Sequence, residues 1–198
     1  HRSTPSRYHG KPYPQKTFPV KDGYNKALLD ECASQGIGLL AITDQWAIST
    51  AKQLIDDSKS RGIDALPGFE ANSSEGIHLL VIFERDTKLE DINAAIGACG
   101  VSPGCANGET GHSYADILME MTKRGALVIP AHVNIANSGM LSRAKGKPLE
   151  AMIKNKDLHA IAICPGSGKM GDQIAILAGT KPYKRTHSLV GIFADDIS

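Results

Sequence analysis

The four cysteines, Cys32, Cys99, Cys105 and Cys164, include no Cys-x-x-Cys pair and no short zinc-finger spacing. Finger-type and ribbon-type zinc sites are therefore excluded, and free thiols in a reducing compartment are favoured over a disulfide framework. No apolar run reaches the roughly 18–20 residues needed to span a bilayer. The opening stretch, His1 to Lys16, is polar and proline-rich rather than signal-like. An excess of one charge is also missing, because 22 basic and 21 acidic residues leave a net charge of +1. No global field draws this surface to nucleic acid or anionic lipid, so any nucleic-acid contact must be local. A cytoplasmic protein with no membrane partner is expected.

What is present fits an ordinary globular domain: 198 residues, 41% hydrophobic and 22% charged. A single domain over residues 1–198 is the expectation. The chain opens directly on His1, with no strand before it, and stops at Ser198 just after an apolar strand. We therefore read it as the amino-terminal part of a longer polypeptide.

Proline, serine and lysine crowd residues 1–22, which suits an irregular loop. Regular alternation follows. Helical spacing predicts helices over residues 24–35, 47–61, 89–98, 114–124, 149–155 and 171–178, several of them followed by glycine stops such as Gly36, Gly62 and Gly125. Apolar runs predict strands over 37–43, 63–70, 77–83, 126–131, 158–164 and 188–193. Short helix-to-strand links and continuous apolar strands argue for parallel βαβ units, in a barrel or a doubly wound sheet.

Residues able to bind metal recur immediately after apolar strands: Asp44, Glu70, His132 and Asp195. In parallel α/β folds the loops after strand carboxyl ends build the active-site face, so these distant positions can converge. Taken singly, each has a plainer explanation. Asp44 can cap the next helix, Glu70 can be a turn carboxylate, and His132 can be a hydrogen-bonded histidine at a strand end.

The series Ala41-Ile42-Thr43-Asp44, Leu66-Pro67-Gly68-Phe69-Glu70, Gly76-Ile77-His78-Leu79-Leu80 and Ile129-Pro130-Ala131-His132 resembles the ordered motifs of the PHP (polymerase and histidinol phosphatase) domain family. Tyr114 to Leu118, Ala131 to Asn134 and the opening His1 to Pro5 are most similar to the PHP domains at the amino terminus of TrlF-like ATPases. The resemblance implies a distorted (β/α)7 TIM-like barrel that binds zinc, manganese or iron and hydrolyses phosphate esters. It implies metal ligands at His1, Asp44, Glu70, His78, His132 and Asp195, with Glu70 and His132 at the centre of catalysis. It also implies a phosphate-ester or nucleic-acid substrate, an ATPase module on the same polypeptide, and by association a role in defence against phage or plasmid DNA.

Departures from the family pattern matter as much. Ser3, Gln45 and Ile197 stand where the resemblance calls for histidines, His9 falls near a family aspartate, and Ala162 or Cys164 takes a position usually acidic or cysteine. Glutamine and neutral serine are poor metal ligands and isoleucine is none. The metal set is thus expected to be reduced or absent. Two readings stay open: a working phosphoesterase or nuclease with fewer ions, and a non-catalytic PHP-like scaffold or ligand-sensing module. Pro165 to Lys169 lacks the first glycine and the Ser/Thr of a phosphate-binding loop and reads as a turn. The Lys181 to Arg185 cluster could meet phosphates but reads better as solvated surface. His112, His159 and His187 match no motif.

Overall fold

The computed structural model describes residues 7–8, 11–12, 21–105, 110–165 and 170–193. In chain order these form β1 (Arg7–Tyr8), β2 (Lys11–Pro12), α1 (Lys21–Ser34) and β3 (Leu39–Ile42). A 3₁₀ turn, Ser49–Ala51, runs into α2 (Lys52–Lys59), followed by β4 (Asp64–Asn72), β5 (His78–Ile82), α3 (Leu89–Ala98) and α4 (Tyr114–Lys123). Then come β6 (Leu127–Pro130), α5 (Met140–Arg143), α6 (Gly146–Lys154), β7 (Ala160–Ile163), α7 (Met170–Leu177) and β8 (Val190–Phe193). No helix among the described residues is long and apolar enough to cross a membrane.

The fold is mixed α/β. Strands are ordered β3-β4-β5-β6 in one sheet, β7-β8 in a second and β1-β2 in a third, so the described residues do not form a closed barrel. The β3–β4 and β7–β8 pairs are parallel, as the sequence led us to expect. The β4–β5 pair is not. Phe83 N–H donates to Pro67 O and Ser73 N–H to Ile77 O, each at 2.9 Å, which fixes an antiparallel hairpin. The cause is loop length: a parallel crossover needs a dozen or more residues, and the link after Asn72 is far too short.

Burial alternates along β4 and β5 as a pleated strand requires. Pro67, Phe69, Ala71, Leu79 and Val81 are buried, whereas Leu66, Glu70, Asn72, His78, Leu80 and Ile82 are half-buried. One face of the hairpin therefore belongs to the core, and the other carries the polar side chains.

The chain divides into two compact units, His1–Glu70 with Ile82–Gly108 and Ala71–Val81 with Glu109–Ser198. In the first, Leu29, Ile42, Leu54, Phe69, Ile92 and Ile96 are fully buried. Trp46 is buried as well, stacked on Phe69 with ring centroids 5.7 Å apart. In the second, Leu79, Val81, Leu118, Met121 and Ile161 form a fully buried core. Helix α4 starts there on a capping box, in which Ser113 Oγ accepts from Asp116 N–H and the Asp116 carboxylate accepts from Ser113 N–H. Strand β8 differs from the expected covered strand, since Val190, Ile192 and Phe193 are exposed.

Candidate metal centre

Construction begins at the end of β3. The register Leu39↔Asp64 to Ile42↔Pro67 continues past the strand as a bridge between Gln45 and Glu70. Glu70 N–H donates to Asp44 O at 3.1 Å and Trp46 N–H to Glu70 O at 3.0 Å, so the strand-end loop is clamped onto Glu70. Trp46 takes a left-handed backbone, φ 49°, to make that turn. Because opposite residues in a parallel bridge share a face, register puts Gln45 on the Glu70 face.

The β4–β5 turn is tied down at several points. Gly76 N–H donates to Ser73 O, Ile77 N–H donates to the Ser73 hydroxyl, and Ser74 N–H donates to His112 O. The Glu75 carboxylate accepts from Tyr114 N–H at 2.9 and 3.2 Å, which also suits an anion at the start of α4. Gly76 has φ +76°, and a Cβ there would meet the Arg143 guanidinium at 3.2 Å. The left-handed backbone is what favours glycine here, since the guanidinium is a flexible side-chain tip that can shift. The fixed turn sets the register in which His78 faces Asn72, and it brings the start of β5 to the end of β4.

His132 arrives from the next strand. Ala131 N–H donates to His78 O at 2.9 Å, and His132 itself has φ 34°. A non-glycine residue in this region carries strain that the surroundings must hold, a pattern concentrated at functional sites. Here Val133 N–H donates to Ala162 O, and the Asn134 amide brackets Cys164, donating to its carbonyl at 2.8 Å and accepting from its N–H at 2.9 Å. Backbone and side chain together thus tie the His132 loop to the end of β7.

The result is a group of three. Ligand atoms of Glu70, His78 and His132 all lie within 4.8 Å of one another, each residue half-buried, and the two imidazoles meet edge to face with centroids 5.1 Å apart. One carboxylate and two imidazoles suit zinc, manganese or iron. A tetrahedral ion with bonds of about 2 Å needs donors about 3.4 Å apart, a closure that side-chain rotation can supply. The donor set therefore fits a divalent cation.

Of the six positions suggested by the motifs, Glu70, His78 and His132 come together. Asp44 is 3% exposed and is not one of the three. His1 and Asp195 lie outside the described residues, as do Ser3, His9 and Ile197. Gln45 has the position beside Glu70 that the family resemblance gives to histidine. Gln45→His is accordingly expected to tighten zinc binding at least tenfold, which isothermal titration would read; unchanged affinity would show that this register does not direct residue 45 to the site.

Sequence reasoning passed over Asn72, two residues beyond Glu70 on the same face of β4. The available signal was the Glu-x-Asn spacing at a strand end. It also treated the Lys181 to Arg185 cluster as surface, whereas Tyr183 is buried and Arg185 donates to the carbonyls of Ile153, Asn155 and Leu158. Burial lowers the Arg185 pKa. That guanidinium closes the turn after α6, and its role is structural.

No protein-family model matches this sequence, and no curated protein matches it either. Solved structures do. A protein from Bifidobacterium adolescentis, assigned as a metal-dependent phosphoesterase, aligns with a TM-score of 0.59 at 13% identity, covering 87% of this chain and 81% of its own. A two-domain protein from Bacteroides vulgatus, whose PHP-like metal-dependent phosphoesterase part is assigned by prediction, aligns with a TM-score of 0.50 at 14% identity over 71% of this chain. This chain spans 39% of that protein's length. An amidohydrolase from Chromobacterium violaceum, solved with sulfate and no metal, aligns with a TM-score of 0.51 at 16% identity, covering 84% of this chain and 80% of its own. The chain thus shares the fold of PHP-like phosphoesterases and of an amidohydrolase.

Proposed function

We propose that this chain is a PHP-type metal-dependent phosphoesterase module with a reduced metal set, centred on Glu70, His78 and His132. The observation that carries this reading is the convergence of one carboxylate and two imidazoles within 4.8 Å. The shared fold supports it. A divalent ion held by these residues supplies Lewis acidity toward a phosphoryl oxygen and acidifies water. The protein's own part is to fix the donors: the hairpin register places His78, the clamped turn places Glu70, and the strained loop places His132.

A distorted barrel is proposed on the family resemblance, and the Val133–Ala162 bond that links the ends of β6 and β7 supports it. His1, Asp44 and Asp195 are proposed as further ligands on the motif resemblance alone. The same resemblance supports a single PHP-like domain, a nucleic-acid substrate, an ATPase module on a longer polypeptide and a role in DNA defence. The cysteine spacing, with no Cys-x-x-Cys pair, supports a cytoplasmic location. Gln45 beside Glu70 favours feeble turnover, or a metal-binding module without turnover.

Metal content and hydrolysis test the reading together. The purified chain is expected to bind zinc or manganese and to cleave bis(p-nitrophenyl) phosphate slowly. Glu70→Gln should weaken metal binding about 100-fold, since a charged ligand becomes a neutral one. Absence of bound metal in the unmodified protein would overturn the assignment, as would hydrolysis undiminished by Glu70→Gln and His132→Ala.

A further inference from the structure

The hairpin holds one polar atom that the three-residue group leaves unexplained. The side-chain oxygen of Asn72, Oδ1, is buried from solvent and has no hydrogen-bond partner. A buried acceptor left in that condition is destabilising, because its lost hydration is not replaced. Such a cost is normally retained for a reason, an unseen ion among them.

Register says where this oxygen lies. The bonds Ser73 N–H to Ile77 O and Phe83 N–H to Pro67 O keep one pairing along the hairpin, and in that pairing Asn72 stands directly opposite His78. The two form a non-hydrogen-bonded pair, the kind in which antiparallel neighbours approach most closely, with Cα atoms about 4.5 Å apart. Alternation puts Glu70 on the same face, two residues earlier. His132 completes the neighbourhood, its ring 5.1 Å from that of His78. A neutral amide oxygen is a hard donor, suited to manganese more than to zinc.

We propose that Asn72 is a fourth metal ligand, its amide oxygen binding the same divalent cation as Glu70, His78 and His132 and biasing the site toward manganese. The inference rests on the proposed metal-centre reading and adds to it a residue and a preference among ions.

The test is metal affinity in the full chain, measured with manganese and zinc by competition against a fluorescent chelator, alongside the melting temperature of the metal-free protein. Asn72→Ala is expected to weaken manganese binding at least tenfold and zinc binding less. Its metal-free form should melt no lower than the unmodified protein, because the orphaned acceptor is gone. Asn72→Asp should tighten manganese binding by supplying a charged oxygen at the same place, and it serves as the reporter if the alanine variant fails to fold. Manganese affinity unchanged in both variants, while Glu70→Gln abolishes binding, overturns the Asn72 assignment and leaves the metal centre standing. No manganese or zinc binding by the unmodified chain overturns both.

Discussion

Replacing Gly139 by alanine is expected to destabilise the protein by about 3–5 kcal/mol and to weaken metal binding at the same time. A Cβ at this position would lie 2.5 Å from Val133 O, 2.6 Å from His132 O and 2.7 Å from Ile135 O, all of them backbone atoms. None can swing aside as a side-chain tip would. Each of these carbonyls already accepts a backbone bond: Val133 O from Leu141, His132 O from Ile135, and Ile135 O from Gly139 itself. Overpacking of this kind typically costs 1–3 kcal/mol, and each distorted bond adds about 1. The loop being pushed carries His132, so imidazole placement should fail along with stability. Urea denaturation followed by circular dichroism reads the first effect and chelator competition the second. Stability within about 0.5 kcal/mol of the parent, with unchanged metal affinity, would mean that the loop does not hold His132 in place.

Trp46 should prove equally costly to truncate. The ring is fully buried and stacked on Phe69, and Phe69 in turn lies 6.3 Å from the Phe83 ring. Trp46→Ala opens a large cavity in this aromatic cluster and is expected to cost about 3–5 kcal/mol. Trp46→Phe separates packing from polarity. The indole Nε1 is buried without a hydrogen-bond partner, so phenylalanine removes that penalty while keeping most of the stacking area. We expect the phenylalanine variant to lose less than about 1.5 kcal/mol, as other conservative core exchanges do. Circular dichroism is the right probe, since this is the only tryptophan in the chain. Equal losses for Ala and Phe would show that aromatic packing at this position does not hold the turn. The backbone bond from residue 46 to Glu70 O survives in the alanine variant, but a turn that has lost its buried ring should hold Glu70 less firmly and loosen the metal centre.

Neither of these two positions is among the three grouped ligands. Their work is to hold backbone that would otherwise relax: a left-handed turn after β3 and a left-handed histidine after β6. Strain at both places suits a site whose ligands come from three separate strand ends.

Much of this architecture was legible in the sequence by itself. Helical spacing placed α3 and α4 to within a residue, because apolar periodicity is a local signal. Candidate ligands at strand ends pointed to Glu70 and His132, because strand ends are where a parallel sheet gathers its chemistry. What periodicity cannot express is direction and facing. The short link after Asn72 reverses β5, and only that reversal brings His78, at the start of its strand, to the ends of β4 and β6. Facing likewise depends on hydrogen-bond register, which set Gln45 opposite Glu70. Asn72 was passed over for the same reason. The Glu-x-Asn spacing is a weak signal along a chain, and the amide oxygen gains meaning only when pairing sets it opposite a histidine and burial strips it of water.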